Sequence, residues 1–141
     1  MRRTYTLELE PLCAMEMDIG DVFQIGRGPF GSRVIGELVH GRLEGDRLRA
    51  RQLGCAAADW ALVRDDGFVR GDIRIAWRTD DGASLYMSYI AYLDMNAPAY
   101  CTPEFETGDE RYAWLNRTRI VGKGGYHPEE KRVDYQLFVL R

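Results

Sequence analysis

The sequence predicts an all-β protein: a single antiparallel meander of strands closed into a barrel, with little or no helix. Three observations predict it. Apolar and polar residues alternate with period two in many separate stretches, the pattern of strands with one buried face. Asp65-Asp66-Gly67 and Asp80-Asp81-Gly82 are turn sequences that tolerate positive φ, and the Leu, Val, Ile and Trp residues flanking them suit a pleated surface, so the region reads as successive hairpins. No stretch holds a helical period over three turns, and strands without helices have to bury their sheet against itself. The 141 residues are about the length of one domain, 1–141, long enough to bury a core without disulfides or a structural metal.

In chain order, residues 4–10 set Tyr5, Leu7 and Leu9 against Thr4, Thr6, Glu8 and Glu10. After Pro11 the alternation resumes with Cys13, Met15 and Met17 on one face, so this reads as one long strand bent at the proline, which cannot donate to a ladder. Gly20-Asp21 predicts a turn, 22–25 a short strand, and the glycine-rich segment 26–32 a loop able to cover a pocket. No Lys-Ser/Thr pair follows that loop, which separates it from a phosphate loop. Residues 33–40 and 46–53 are the next strands, joined around Gly41 and Glu44-Gly45-Asp46; Arg47, Arg49 and Arg51 share a face that reads as a solvated exterior, or alternatively as an anion or partner site.

A small-residue connection, Gly54-Cys55-Ala56-Ala57-Ala58, leads into the Asp59-Trp60 strand. Residues 84–92 are apolar or aromatic on both faces, with Leu85, Met87, Tyr89 and Ala91 against Tyr86, Ile90 and Tyr92. They predict a strand covered on both sides, and hence a homo-oligomer, most simply a dimer. Segment 94–107, with Pro98 and Pro103, reads as irregular. Residues 111–121 alternate Tyr112, Trp114, Asn116, Thr118 and Ile120, read as inward, with Arg111, Ala113, Leu115, Arg117 and Arg119, read as outward. A long hairpin loop over 122–131 then precedes a last strand whose inward face is Val133, Tyr135, Leu137 and Val139.

The net charge of −3 supplies no general attraction to polyphosphate, so nucleic acid is not an expected partner. No apolar run is long enough to cross a bilayer, and the N-terminus lacks the apolar core of an export signal, so no membrane association is expected. Three cysteines, Cys13, Cys55 and Cys101, are an odd number without framework spacing, as expected of reduced thiols in a cytoplasmic protein. The two histidines, His40 and His127, are far apart and outside any Cys/His cluster, so no metal site is predicted.

The candidate site rests on carboxyl and amide groups set among aromatics. A pocket lined by Trp60, Tyr86, Tyr112 and Trp114 would be apolar with a few hydrogen-bonding tips, suited to a flat small-molecule ligand or substrate. Asp59, Glu106 and Asn116 lie beside such residues, and a carboxyl in an apolar wall has a raised pKa and can exchange a proton near neutrality. Those three are the candidate catalytic residues. Arg74, which could hold a carboxylate ionised, and Tyr100, on the 94–107 segment, complete the substrate-binding set. Neither histidine stands near Cys55 in sequence to act as its base, and no nucleophile-elbow pattern occurs.

The order of these features resembles the bacterial and fungal family named domain of unknown function 3237. The resemblance is carried by Leu9-Glu10-Pro11-Leu12, Gly45 with Leu48, Asp59-Trp60 with Asp66-Gly67, Asp72-Ile73-Arg74, and Thr79-Asp80-Asp81-Gly82-Ala83. It continues through Pro103-Glu104-Phe105-Glu106-Thr107, Tyr112-Ala113-Trp114-Leu115-Asn116 and Val121-Gly122. It implies a compact β-barrel, calycin- or lipocalin-like in shape, related to small-ligand carriers. It further implies the chemistry of fungal relatives in polyketide pathways, which close oxygen heterocycles by adding a hydroxyl across an alkene without a redox cofactor. The expected function is therefore a cofactor-independent cyclase or isomerase of a polyketide-like or aromatic metabolite, with Asp59 as proton donor or acceptor and Trp60 and Trp114 packing the substrate. The alternative is a binding protein of the same shape that does no chemistry.

Overall fold

A computed structural model describes residues 1–94 and 97–141. Ten strands form one antiparallel sheet: β1 (Leu9–Gly28), β2 (Gly31–Glu44), β3 (Arg49–Gln52), β4 (Ala58–Val63), β5 (Val69–Thr79), β6 (Ser84–Leu93), β7 (Ala99–Cys101), β8 (Glu104–Glu106), β9 (Ile120–His127) and β10 (Arg132–Leu140). Pairing runs β5, β4, β2, β1, β10, β9, β7, β6 and back to β5, which closes the barrel; β3 bridges β2 and β5, and β8 lies against β6. Both predicted Asp-Gly turns are present, with Gly67 at φ 84° and Gly82 at φ 92°, values that a side chain would oppose. Among the described residues no helix is long and apolar enough to cross a membrane.

The alternation decides what fills the barrel. Cys13, Met15 and Met17 of β1, Leu43 of β2, Ile75 and Trp77 of β5, Leu85 and Met87 of β6, and Leu137 and Val139 of β10 are all buried and close-pack one half of the interior. In the other half the inward positions carry small or β-branched residues, among them Val34, Gly36, Ala61, Val63, Gly71 and Ala91, which leave the middle unfilled. The same ten strands thus supply a packed end and a hollow end.

Several expectations need correction. Residues 1–8 are exposed and outside the strand, which begins at Leu9, although Glu8 and Arg141 still exchange backbone hydrogen bonds. The bend at Pro11 is a register shift, as expected, but Gly20-Asp21 is no turn: β1 runs through it, because shifts at 16/18, 19/22 and 24/26 absorb the irregular residues without breaking the ladder. The 26–32 loop shrinks to a tight turn at Pro29-Phe30. Gly41 does not end β2 either. It lies under Trp77, whose ring atoms would stand 2.9 Å from an added Cβ, so the glycine serves close packing rather than a turn. Gly122-Lys123-Gly124-Gly125 is strand rather than loop, with Gly124 directly opposite Tyr135 and no room for a side chain beside the Asp134 carbonyl.

The largest correction is at 111–121. Glu110–Arg117 is a 3₁₀ helix, capped by Asp109, whose Oδ1 accepts from the Arg111 amide at 2.9 Å. Its one buried residue is Leu115, on the face that the strand period reads as outward; Trp114 is only half-buried and Asn116 is exposed. Polar and apolar residues alternate along this short helix as they would along a strand, and the Thr107-Gly108-Asp109 entry is the local signal for a cap. β6 also departs from expectation. Leu85, Met87, Tyr89 and Ala91 are buried, whereas Tyr86 and Tyr92 are 37% and 45% exposed, so within the chain the strand is covered on one side only. Within 94–107, β7 and β8 pair with β6; Met95 and Asn96, which belong to that segment, lie outside the described residues.

Candidate functional site

The hollow end is a cavity of about 390 Å³, within the usual range for small-molecule sites. Its wall is mainly aliphatic, from Ile19, Val22, Val34, Leu38, Ile73 and Leu93, with Gln24, Asp59, Tyr89, Tyr126 and Tyr135 as its polar groups. Among the described lining residues there is no Lys, Arg or His.

Asp59 reaches this cavity because it alternates with Trp60 on β4, directly opposite Gly36 of β2 and Ile73 of β5. The β4–β5 ladder is open between the Asp59–Ile73 and Leu62–Arg70 pairs, and the amide of Asp72, in that gap, donates to Asp59 Oδ1 at 3.0 Å. Gly71 stands beside the other oxygen, since a Cβ there would lie 3.2 Å from Oδ2. Burial pushes the Asp59 carboxyl up to about 6, the Asp72 amide opposing and the Asp72 charge adding to the shift. One oxygen is thus held by the backbone and the other faces apolar surroundings.

Two tyrosines outside the set proposed from sequence, Tyr89 of the two-faced strand and Tyr135 of the last strand's inward face, complete the site. Tyr89 and Tyr135 meet edge to face, ring centroids 6.0 Å apart, and both are buried. Burial, then the neighbouring ionisable groups with Asp59 among them, raises both phenols, so each stays protonated and able to donate. The signal available in sequence was a tyrosine at an inward position whose nearest inward neighbours along its strand are smaller, such as Ala91 beside Tyr89.

Of the residues proposed from sequence, only Asp59 lines this cavity. Trp60, 38% exposed, is on the outer face, where the Arg74 guanidinium sits 5.9 Å from its ring; Arg74 is itself exposed and turned away from the cavity, so it does not hold Asp59 ionised. Tyr86 and Tyr100 are also outward and exposed. Tyr112 donates to Asp81 Oδ1 at 2.8 Å, pinning the 3₁₀ helix to the β5–β6 turn, and Trp114 lies under Arg47 at 4.1 Å. Glu106 is exposed on β8. Asn116 exchanges hydrogen bonds with the backbone of Thr107, accepting at 2.8 Å and donating at 3.0 Å, a structural clamp. The predicted aromatic pocket therefore does not form: Tyr86, Glu106 and Asn116 share an outer groove beside β8, Tyr112 and Trp114 pack on the helix, and apart from Asp59 the interior is lined by residues outside the proposed set.

Burial pushes the thiols of Cys13 and Cys101 up to about 12, which suits core packing and not nucleophilic attack. Cys55 is exposed beside an outer groove in which Asp18 accepts from Arg132 and meets His40. Among the described residues no three His, Cys, Asp or Glu side chains converge as a metal site would require.

Comparison with known proteins adds the following. The family model described as Protein of unknown function (DUF3237) matches residues 7–100 and 94–140. A UPF0311 protein of Rhodopseudomonas palustris is 26% identical over 148 aligned residues, covering 93% of this chain and 96% of the relative. Among solved structures, a β-barrel-like protein of Acinetobacter baumannii superposes with a TM-score of 0.87 at 28% identity, each chain fully covered. A conserved protein of unknown function from Rhodopseudomonas palustris gives 0.88 at 25% identity, covering 98% of this chain and 100% of the other. A structure described as an enzyme from Penicillium herquei gives 0.82 at 20% identity, covering 100% of this chain and 99% of the other; that likeness speaks for the fold.

Proposed function

Since the chain belongs to the family Protein of unknown function (DUF3237), we propose that it binds a small, largely apolar metabolite in the barrel cavity and isomerises or cyclises it by acid–base chemistry at Asp59, without a redox cofactor. The observation that carries this reading is a single carboxyl, raised to about 6 by burial, in the wall of a mainly apolar cavity with no other acidic or basic side chain among its described lining residues. Such a group exchanges protons near neutrality, which a general acid requires, and sites of this kind are where perturbed carboxyls concentrate.

The reaction class implied by the family resemblance fits that wall. Asp59 Oδ2 gives its proton to one carbon of a substrate alkene, a hydroxyl oxygen of the same molecule bonds to the other carbon, and the hydroxyl proton returns to the carboxylate. Atoms balance with no co-reactant, so the product is an isomer of the substrate. The Asp72 amide, bonded to Oδ1, stabilises the carboxylate that forms midway. The aliphatic wall keeps water from competing with the internal hydroxyl.

A panel of ortho-alkenyl phenols followed by proton NMR tests this. Ring closure by the wild type and its loss in Asp59→Asn, with ligand binding retained, is the expected result. Full turnover by Asp59→Asn rejects the role of Asp59, and binding of the panel without any turnover favours a carrier.

The same reading includes a homodimer, formed through the outer face of β6. Tyr86 and Tyr92 are exposed at the two ends of that face, and Tyr100 stands opposite Tyr92 on β7; aromatics of this kind are enriched in interface cores.

A further inference from the structure

We infer that Tyr89 and Tyr135 are the specificity-determining pair of the cavity, their hydroxyls together receiving one acceptor oxygen, a carbonyl, of an uncharged ligand, and that the cavity rejects anions. The inference rests on the cavity being the ligand site, but not on any reaction occurring there.

The hydroxyls carry the first half of the argument. Both side chains are almost fully buried, at 4% and 6% exposure, and a buried hydroxyl without a partner is costly. Neither makes a hydrogen bond to a described residue. Sealed, unpartnered side-chain polar atoms among the described residues are limited to Trp77 Nε1, so the two phenol oxygens keep access to the cavity that both residues line. Two protonated phenols whose rings meet edge to face in one cavity wall are donors in search of an acceptor. A carbonyl oxygen, with two lone pairs, takes both.

Charge carries the second half. With no cation among the described lining residues and Asp59 on the wall, a carboxylate or phosphate would enter a poorly solvated space beside a like charge and find nothing to neutralise it. A neutral ligand meets neither cost. The apolar walls supply its affinity, and the tyrosine pair sets its orientation, with the carbonyl toward Tyr89 and Tyr135 and its flank along Asp59.

Three probes of one shape test both halves: 2-acetylnaphthalene, 2-ethylnaphthalene and 2-naphthoate, titrated calorimetrically into the full-length protein at pH 8, where Asp59 and the naphthoate are both ionised. The ketone should bind about tenfold more tightly than the ethyl compound, the value of one or two hydrogen bonds, and the naphthoate should be weaker than both. Tyr89→Phe with Tyr135→Phe should bring the ketone to the level of the ethyl compound and leave the latter unchanged, which a merely structural role would not do. Asp59→Asn should recover part of the naphthoate affinity without altering the preference for the ketone. Equal binding of ketone and ethyl compound by the wild type overturns the role of the tyrosines, and naphthoate binding as tight as the ketone overturns the charge selection. Failure of the acid–base reading looks different: the ketone preference persists while Asp59→Asn leaves turnover intact.

Discussion

Gly36 lies directly opposite Asp59 across the β2–β4 ladder, and a methyl group placed on it would meet no atom within 4 Å. The space facing the carboxyl is therefore open because β2 offers no side chain there. Gly71, on the other flank, is different: an added Cβ would stand 3.0 Å from Ile73 Cδ1, 3.2 Å from Asp59 Oδ2 and 3.3 Å from Ala91 Cβ. One glycine maintains volume and the other maintains contact.

This contrast predicts opposite phenotypes for the same substitution. Gly36→Ala should leave thermal stability within about 0.5 kcal/mol of wild type, since nothing is displaced, but should weaken binding of a naphthalene-sized ligand by occupying its space. Gly71→Ala should cost about 1–2 kcal/mol through overpacking and should also move the Asp59 titration. Thermal unfolding and calorimetric titration on both variants read the two effects separately; equal destabilisation by both would contradict the assigned geometry.

Asp59 as proton donor predicts a specific pH profile. The acid form is the active one, so kcat/KM should be level below pH about 6 and fall tenfold per unit above it. Asp59→Asn should be low and flat across the range. A rate that rises through the same pH would identify Asp59 as base instead.

The same shift makes Asp59 a stability liability at neutral pH. Its folded value of about 6 exceeds the ordinary 3.8, so between these values the folded state binds more proton than the unfolded state, and stability falls as pH rises through that window. Above pH 6 the full cost is on the order of 3 kcal/mol. Asn keeps an oxygen for the Asp72 amide and carries no charge. Asp59→Asn should therefore be more stable than wild type at pH 8, by about 2–3 kcal/mol, and the gain should vanish near pH 4. Urea unfolding at the two pH values checks the sign; a variant less stable at pH 8 would mean that the carboxylate is satisfied in the fold.

What the sequence made legible was periodic and local. The alternation of β1, β5 and β10 and the turns at Gly67 and Gly82 follow from rules that act over a few residues, and they were readable. Asp59 was readable as a candidate because it is a carboxyl next to an aromatic in a strand, although the same reading turned Trp60 inward, and alternation allows only one of the two to face the lumen. The aromatic pocket was not, because whether Trp60 or Tyr86 faces the lumen depends on one-residue register, and each sits one position from the inward series of Asp59 and Leu85. Nor could Tyr89 and Tyr135 be paired from sequence, since β6 and β10 meet only across the barrel lumen.

The 3₁₀ helix corrects the inward face from Trp114 to Leu115, and truncation separates the two. Leu115 is 1% exposed against the packed end of the barrel, so Leu115→Ala should cost about 2–5 kcal/mol. Trp114 is half-buried under Arg47, and Trp114→Ala should cost no more than about 1–2 kcal/mol for a partly exposed ring and a surface cation–π contact. Chemical denaturation of the two variants decides between helix and strand, because a strand with Trp114 inward would reverse the order.

The outer face of β6 gives the last expectation. Tyr86, Tyr92 and Tyr100 are 37%, 45% and 49% exposed, and Phe68 lies beside Tyr92 with ring centroids 5.9 Å apart, so aromatics stand at both ends of an outer strip whose middle is Ser88 and Ile90. Arg74 and Glu104, both exposed, pair with Ser88 from either side at the middle of that strip, so opposite charges lie at its centre, where a two-fold contact can match them. A two-fold contact would bury the same strip on both copies and satisfy it without any helix. Light scattering at micromolar concentration should therefore return twice the chain mass of 16.2 kDa. Tyr86→Glu combined with Tyr92→Glu should return the chain mass while leaving the circular dichroism and the binding of 2-acetylnaphthalene unchanged, since the strip faces away from the cavity. A wild type that scatters at the chain mass at every concentration would leave the strip open to solvent and end the dimer reading.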